Sequence, residues 1–294
     1  MKASVIVAVY NNEEMIGDCI ESLLRQSLSK KEFEIIIVDN NSTDRTREII
    51  QKHKVKYLFE ERMGRARALN KGIRNAKGEI IAVTDSDCIA HKDWLGNIVK
   101  KFGKKSVVYA GGEILAYKPR TLVEKYSEKA GILSARTVLK KNIFYPPFFQ
   151  TANAAFRKSL LDEIGLFDEA LVSGHDADIG WRIQWKGHGI DFEPSAVIYH
   201  RNRTTMKGLF EQFKRYGLSR TALFKKHRKM LKAFFHIDFV NIGGIFYALL
   251  QIIPSLILGR TELERKKPIL DFVKRSAFLY GKILGSIKNK VIEL

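Results

Sequence analysis

Cysteine is nearly absent from this chain. Cys19 and Cys88 are the two in 294 residues, far apart and in unrelated contexts. That argues against a disulfide framework or a cysteine metal cluster and fits a reducing compartment. There are no internal repeats and no low-complexity tracts. The N-terminus has one lysine and a short apolar run but no small-residue cleavage site, so it reads as a first strand rather than a signal peptide. Acidic residues are scarce where basic ones are not. From Arg201 to Leu294 there are 20 Lys and Arg against 6 Asp and Glu, whereas the first 200 residues hold 31 and 26. A basic block of this kind meets a polyanion, either nucleic acid or an anionic membrane surface. No nucleic-acid motif accompanies it, so nucleic acid is not the expected partner. At 45% hydrophobic and 28% charged, the chain can build a real core.

What is present is an alternation. Ser4–Val9, Phe33–Val38, Val55–Glu60, Glu79–Val83 and Ser106–Ala110 are apolar, β-branched runs. Between them Asn12–Leu28, Thr43–Lys52, Arg65–Ala76 and Lys92–Phe102 have helical spacing. Continuous apolar strands alternating with helices indicate an α/β fold with a mostly parallel sheet covered on both faces. In such sheets ligands bind beyond the carboxyl ends of the strands. The residues there are polar: Tyr10-Asn11-Asn12-Glu13, then Asp39 to Asp44, then Asp85-Ser86-Asp87. Asp39–Asp44 taken alone is equally an Asx-turn and helix cap.

Asp85 and Asp87 end an apolar strand. A lone D-x-D pair is weak evidence, but at a strand end two hard oxygen ligands suit Mg²⁺ or Mn²⁺ carrying a diphosphate. Asp176 and Asp178 precede a helix containing Ile179, Trp181 and Ile183. They are either an N-cap pair or the source of a general base. Arg62, Arg65 and Arg67 open a helix and can hold phosphate. His200 ends the run Ala196–Tyr199, where it is either structural or a metal or phosphate ligand. The last third carries Lys225, Lys226, Arg228, Lys229 and Lys232, followed by residues 239–259 with no charge. That segment reads as a spanning helix, an interfacial segment or a packed core helix.

The order of these features resembles the family 2 glycosyltransferases. The matching stretches are VIVAVYNNEE, IIIVDNNSTDRT, GRARALNKGIRNAKGEIIAVTDSDC, GLFDEALVSGHDADIGWRIQWKG and VIYHRNRTTMKGLFEQFKRYG, together about three quarters of the chain. The resemblance implies a GT-A-type, Rossmann-like mixed sheet over residues 1–220, with a helical, membrane-associating region at 221–294. It implies an inverting transfer from a nucleotide-diphosphate sugar, with UDP or GDP as the nucleotide. Val9, Tyr10 and Glu13 would then surround the nucleotide, and Asp39 would hydrogen-bond its base. Arg65 or Arg67 would contact the diphosphate. Asp85 and Asp87 would carry the sugar nucleotide and Mg²⁺ or Mn²⁺, with His200 as a further metal ligand. Asp176 would be the catalytic base, and Asp178, Trp181 and Arg182 would lie on the acceptor or phosphate side. The expected acceptor is a glycan or polyprenyl-linked sugar at the cytoplasmic face of the membrane. The sequence departs from the family pattern at Ala8, Asn40 and His175, where Pro, Asp and Glu are usual. A sugar-phosphate nucleotidyltransferase is an alternative, but Tyr10–Glu13 stands where its Gly-rich basic loop would be. A basic membrane- or nucleic-acid-binding protein without catalysis is another, but Asp39, Asp85, Asp87 and Asp176 are all in place.

Overall fold

A computed structural model describes residues 1–139 and 144–294. The chain divides into two units, one formed by residues 1–117 and 133–201, the other by 118–132 and 202–294. A boundary at residue 220 would fall inside a helix, Met206–His227.

In the first unit the strands are β1 (Ala3–Val9), β2 (Phe33–Asp39), β3 (Lys56–Phe59), β4 (Ile80–Asp85), β5 (Cys88–Ala90), β6 (Tyr109–Ala116), β7 (Ala154–Arg157) and β8 (Asp191–His200). They form one sheet in the order β3-β2-β1-β4-β7-β6-β8-β5. Strands β1 to β4 are mutually parallel, β7 runs against its neighbours, and β5 runs against β8. The sheet is therefore mixed and mostly parallel, as expected. The helices of this unit are α1 (Ile16–Leu24), α2 (Thr46–Gln51), α3 (Arg65–Arg74), α4 (Trp94–Lys101), then α6 (Ala135–Val138), α7 (Lys158–Ile164) and α8 (His175–Trp185); α5 (Leu122–Lys129) belongs to the other unit.

The central strands β1, β2 and β4 carry apolar residues on both faces because the sheet is covered twice. Val5, Val7, Ile35 and Ile37 pack with α1 and α4, through Ile20, Leu23, Trp94 and Ile98. The intervening Ile6, Ile36 and Val38 pack with Leu69 and Ile73 of α3 on the other face. Side chains that alternate across a strand thus meet a helix on both sides.

Three elements start later than their sequence reading. Helices α1 and α2 start three to four residues late, because Asn12, Glu13 and Asp44 use their polar groups to tie loops together. Strand β6 starts later than Ser106 because Val107 closes a turn on the carbonyl of Lys104, and it continues through Gly111-Gly112. Gly112 is required there, since a Cβ would collide with the carbonyl of Ala196 on β8. The same place carries a register shift: Gly112 pairs with Glu193, but Glu113 pairs with Val197. Pro194, Ser195 and Ala196 are thereby looped out of the ladder.

In the second unit α9 (Met206–His227), α10 (Phe239–Leu258) and α11 (Glu262–Asn289) form the bulk, with α5 packed through Val123 and Tyr126 against Leu209 and Leu270. Residues 292–293 pair with 235–236, and Glu293 forms a fully buried ion pair with Lys282 at 3.0 Å. Among the described residues, α10 is the one helix long and apolar enough to cross a membrane.

Candidate active site

In the order β2-β1-β4 the chain direction of the crossovers reverses at β1, so a crevice opens beyond the ends of β1 and β4. Three loops meet there, and hydrogen bonds stitch them. Asn11 donates its backbone N–H to Ser42 Oγ at 3.0 Å and accepts from the Thr43 N–H at 2.7 Å. The Asn12 N–H donates to Thr46 Oγ1 at 2.8 Å, and its Nδ2 donates to Ser86 Oγ at 2.8 Å. Asn12 thus reaches the middle residue of the Asp85-Ser86-Asp87 turn from the opposite lip of the crevice. Glu13 accepts from the backbone N–H of Arg45 at 2.9 Å. Val9 is buried and gives its carbonyl to the Asn40 N–H, while Tyr10 is half exposed at the rim.

Asp39 is 1% exposed and fully engaged. It accepts from the Ser42 N–H at 3.0 Å and from the Tyr57 hydroxyl at 3.1 Å. Burial and the Asp39 charge push the Tyr57 hydroxyl up to about 12, so it stays a donor. The neighbouring Asn40 explains its departure from an acid. Its Nδ2 donates to the carbonyls of Glu60 and Arg62, and its Oδ1 accepts from the Gly64 N–H at 2.8 Å. A carboxylate could make the last bond but neither of the first two. Gly64, at φ 142°, precedes α3 and turns the chain so that Arg65 enters the crevice.

Arg65 is the hub. Its Nη2 bonds Asp85 Oδ1 and donates to Thr151 Oγ1 at 2.9 Å. Burial alone would weaken its charge, but Asp85, then Asp87 and Asp176, outweigh it. Arg67 points elsewhere, to Glu169 at 3.6 Å. Of the two arginines suggested by the sequence, Arg65 is the one in the acidic cluster.

Asp176 opens α8 and bonds the N–H of Ala177 at 2.9 Å. Burial pushes its carboxyl up from the ordinary carboxylate range, and the Asp85 charge adds to that, while Arg65 opposes it. A carboxylate raised by desolvation is suited to take a proton. The other three residues expected near the acceptor or the phosphates are used internally. Asp178 is fully buried against Arg182 at 2.9 Å. Arg182 also donates to the carbonyls of Ile164 and Leu166. Trp181 is fully buried, stacked on Tyr145 and bonded to the Pro146 carbonyl at 2.8 Å. These bonds anchor α8 beneath Asp176; the sequence does not distinguish such anchors from contact residues.

Asp87 Oδ1 lies 3.4 Å from His200 Nε2, and the two share a potential ligand cluster with Cys88 Sγ, all within 4.8 Å. Cross-strand pairing of Cys88 with His200 creates the cluster. The Asp87 carboxylate oxygen is a ligand that Mg²⁺ and Mn²⁺ both take, and the His200 imidazole nitrogen beside it favours Mn²⁺ of the two. The Cys88 thiol, pushed well above its ordinary range by burial and by the adjacent aspartates, is a poor third ligand. His200 Nδ1 is buried without a hydrogen-bond partner among the described residues.

Sequence reasoning placed Asn12 in a polar strand-end tip without giving it a role, and gave none to Thr151 or Asn153. Asn153 Nδ2 donates to the carbonyls of Glu113 and Ala196, and its Oδ1 accepts from the Trp94 indole at 2.8 Å. It holds β6, β8 and α4 together where the register shifts. Their one shared signal is a polar side chain next to an apolar run.

Known proteins share this architecture. The model of the family described as "Glycosyl transferase family 2" matches residues 4–165. A glycosyltransferase of Haloferax volcanii, AglE, is 29% identical over 219 residues, covering 72% of this chain and 70% of that protein. A dolichyl N-acetyl-α-D-glucosaminyl phosphate 3-β-D-2,3-diacetamido-2,3-dideoxy-β-D-glucuronosyltransferase of Methanococcus voltae is 23% identical over 97% of both chains. Among solved structures, a mannosyltransferase of Pyrobaculum calidifontis in complex with GDP-Man and Mn²⁺ superposes with a TM-score of 0.68, at 20% identity over 97% of this chain and 86% of that one. Staphylococcus aureus TarS superposes with a TM-score of 0.54, at 19% identity over 99% and 92%. These structural likenesses establish a GT-A fold. Since the family match covers more than half of its length, the chain belongs to glycosyl transferase family 2 and is a glycosyltransferase.

Proposed function

We propose that the chain transfers a sugar from a UDP- or GDP-linked donor to a hydroxyl of a lipid-linked or cell-surface glycan acceptor, with inversion at the anomeric carbon, at the cytoplasmic face of a membrane. The observation that carries this reading is the cluster of Arg65, Asp85, Asp87 and Asp176 at the end of β4, where α3 and α8 begin. Asp39 and the stitched loops shape the nucleotide end, and Asp176 is the base for the acceptor hydroxyl. The proton passes to Asp176 as the acceptor oxygen attacks the anomeric carbon. The bond from that carbon to the diphosphate oxygen breaks on the opposite side, so one displacement inverts the centre. Arg65 offsets negative charge growing on the diphosphate. Asp87 and His200 would hold a divalent ion, which when bound neutralises charge on the leaving diphosphate.

Relatives support the finer points. The Pyrobaculum enzyme holds GDP-Man and Mn²⁺, TarS holds UDP or UDP-GlcNAc, and the Methanococcus enzyme is named for a dolichyl-phosphate-linked acceptor. The apolar α10 and its basic flanks support an anionic membrane surface as a partner. The test is binding and hydrolysis across UDP-, GDP- and TDP-sugars, with and without Mn²⁺, in the wild type and in Asp87→Ala. Metal-dependent hydrolysis of one donor, lost in the variant, is the expected result. Failure of every donor to bind would overturn the reading.

A further inference from the structure

The polarity of α10 is reversed. Its face toward α11 carries Asn241, Gly244, Ala248 and Ser255, and Asn241 and Ala248 are buried. Asn241 Nδ2 donates to the Arg275 carbonyl, and Ser255 Oγ donates to the Arg265 carbonyl at 3.0 Å. The opposite face is large and apolar: Phe239, Phe246, Leu250, Ile253 and Ile257 are between 63% and 74% exposed. A soluble helix puts these classes the other way round. Among the described residues nothing covers this face.

The contacts to α11 also fix what travels with α10. Ser255 lies against Arg265, and Val240 accepts from Arg275 Nη1, so the two helices run antiparallel over the whole of α10. The stretch of α11 alongside holds Arg265, Lys266, Lys267, Asp271, Lys274 and Arg275. Crossing a bilayer with α11 attached would drag these charges toward its centre. Cations also stand at both ends of α10. Lys225, Arg228, Lys229 and Lys232 precede it, and Arg260, Arg265 and Lys266 follow it. Flanks of this sign stay on the cytoplasmic side, and here both do.

We infer that α10 lies in the plane of the membrane, its exposed face among the acyl chains of one leaflet and both ends held by anionic lipid headgroups. This rests on the membrane reading above and sharpens it: α10 is an in-plane anchor and does not span. The occupant of the face is an anionic lipid bilayer, because the apolar stripe is flanked at both ends by exposed cations that match its surface charge.

The test uses the full chain with single spin labels on cysteines placed at Phe239, Leu250 and Ile257; Cys19 and Cys88 are buried and stay unlabelled. Flotation with vesicles of phosphatidylcholine and with vesicles one-third phosphatidylglycerol reads binding, and collision with oxygen and a nickel chelate reads depth. Donor hydrolysis checks that each labelled chain is folded. The expected result is salt-sensitive flotation with the anionic vesicles and one shared shallow depth, about 5–10 Å, at all three positions. Flotation with a graded depth from one leaflet to the other keeps the membrane reading and overturns the in-plane one. No flotation with either vesicle overturns both. Labels immobilised without vesicles, in a chain that sediments as a dimer, assign the face to a second copy and overturn the proposal.

Discussion

The β1–β4 crevice and helix α10 solve opposite problems. In the crevice, apolar side chains are hidden between sheet and helices, and polar ones gather at the strand ends to bond each other. In α10 small and polar side chains face the neighbouring helix, and the large apolar ones face outward. The first arrangement is built for water and a charged ligand. The second is built for a surrounding that is not water. The alternation of buried and exposed residues alone would make both regions amphipathic; the direction of the polarity separates them.

The comparison can be broken at its polar end first. Asp176→Asn keeps the shape of the side chain and removes the base. Transfer is expected to fall by about 10²–10⁴-fold in kcat with the donor KM nearly unchanged; an unaltered kcat in steady-state assays would remove Asp176 from the chemistry. At the apolar end, Leu250→Glu with Ile253→Glu places two charges on the exposed stripe of α10. Vesicle affinity is expected to drop by roughly 10²-fold on the scale of side-chain transfer, with hydrolysis of a soluble donor retained. Equal flotation of the variant and the wild type would show that the stripe does not meet lipid.

Beneath the crevice, Asn153→Ala leaves two carbonyls and the Trp94 indole N–H without their partner. The loss of stability is expected to be on the order of 3 kcal/mol, read from urea unfolding. The smallest effect concerns acidity. Asp176 must be ionised to act, and burial raises its pKa, so the rate is expected to be lost on acidification at a higher pH than for an ordinary carboxylate. Arg65→Gln removes the charge that opposes this shift. The acidic limb of the kcat/KM profile should then move to still higher pH, and a limb that stays in place would uncouple the two residues.

Much of the crevice was legible because its parts are local. A β-branched run followed by an acid or amide announces a strand end, and Asp39, Asp85 and Asp87 all sit where that pattern puts them. The mostly parallel sheet follows from strands with apolar residues on both faces. What could not be read depends on distant pairing. His200 meets Asp87 only because β5 folds back on β8, and Thr151 meets Arg65 across 86 positions of sequence. Asp178 and Asp176 look alike on paper; which of them is fully buried is decided by how α8 packs on the loop after α7. The run 239–259 showed its lack of charge but not its orientation, because small and large apolar residues alternate too finely to name the inner face without α11.

The three residues looped out between Glu193 and Val197 act as a spacer. A strand advances about 3.3 Å per residue, so drawing all three into the ladder would slide the end of β8 by roughly 10 Å along β6 and β5. Val197 would then stand where His200 stands, opposite Cys88. An odd slip also turns every side chain to the other face of the sheet. Deleting the three, by contrast, leaves Val197 opposite Glu113 and His200 opposite Cys88. The identity of the group facing Asp87 is therefore set by what keeps 194–196 out of the ladder, and Asn153, bonded to the Ala196 carbonyl, is part of that hold.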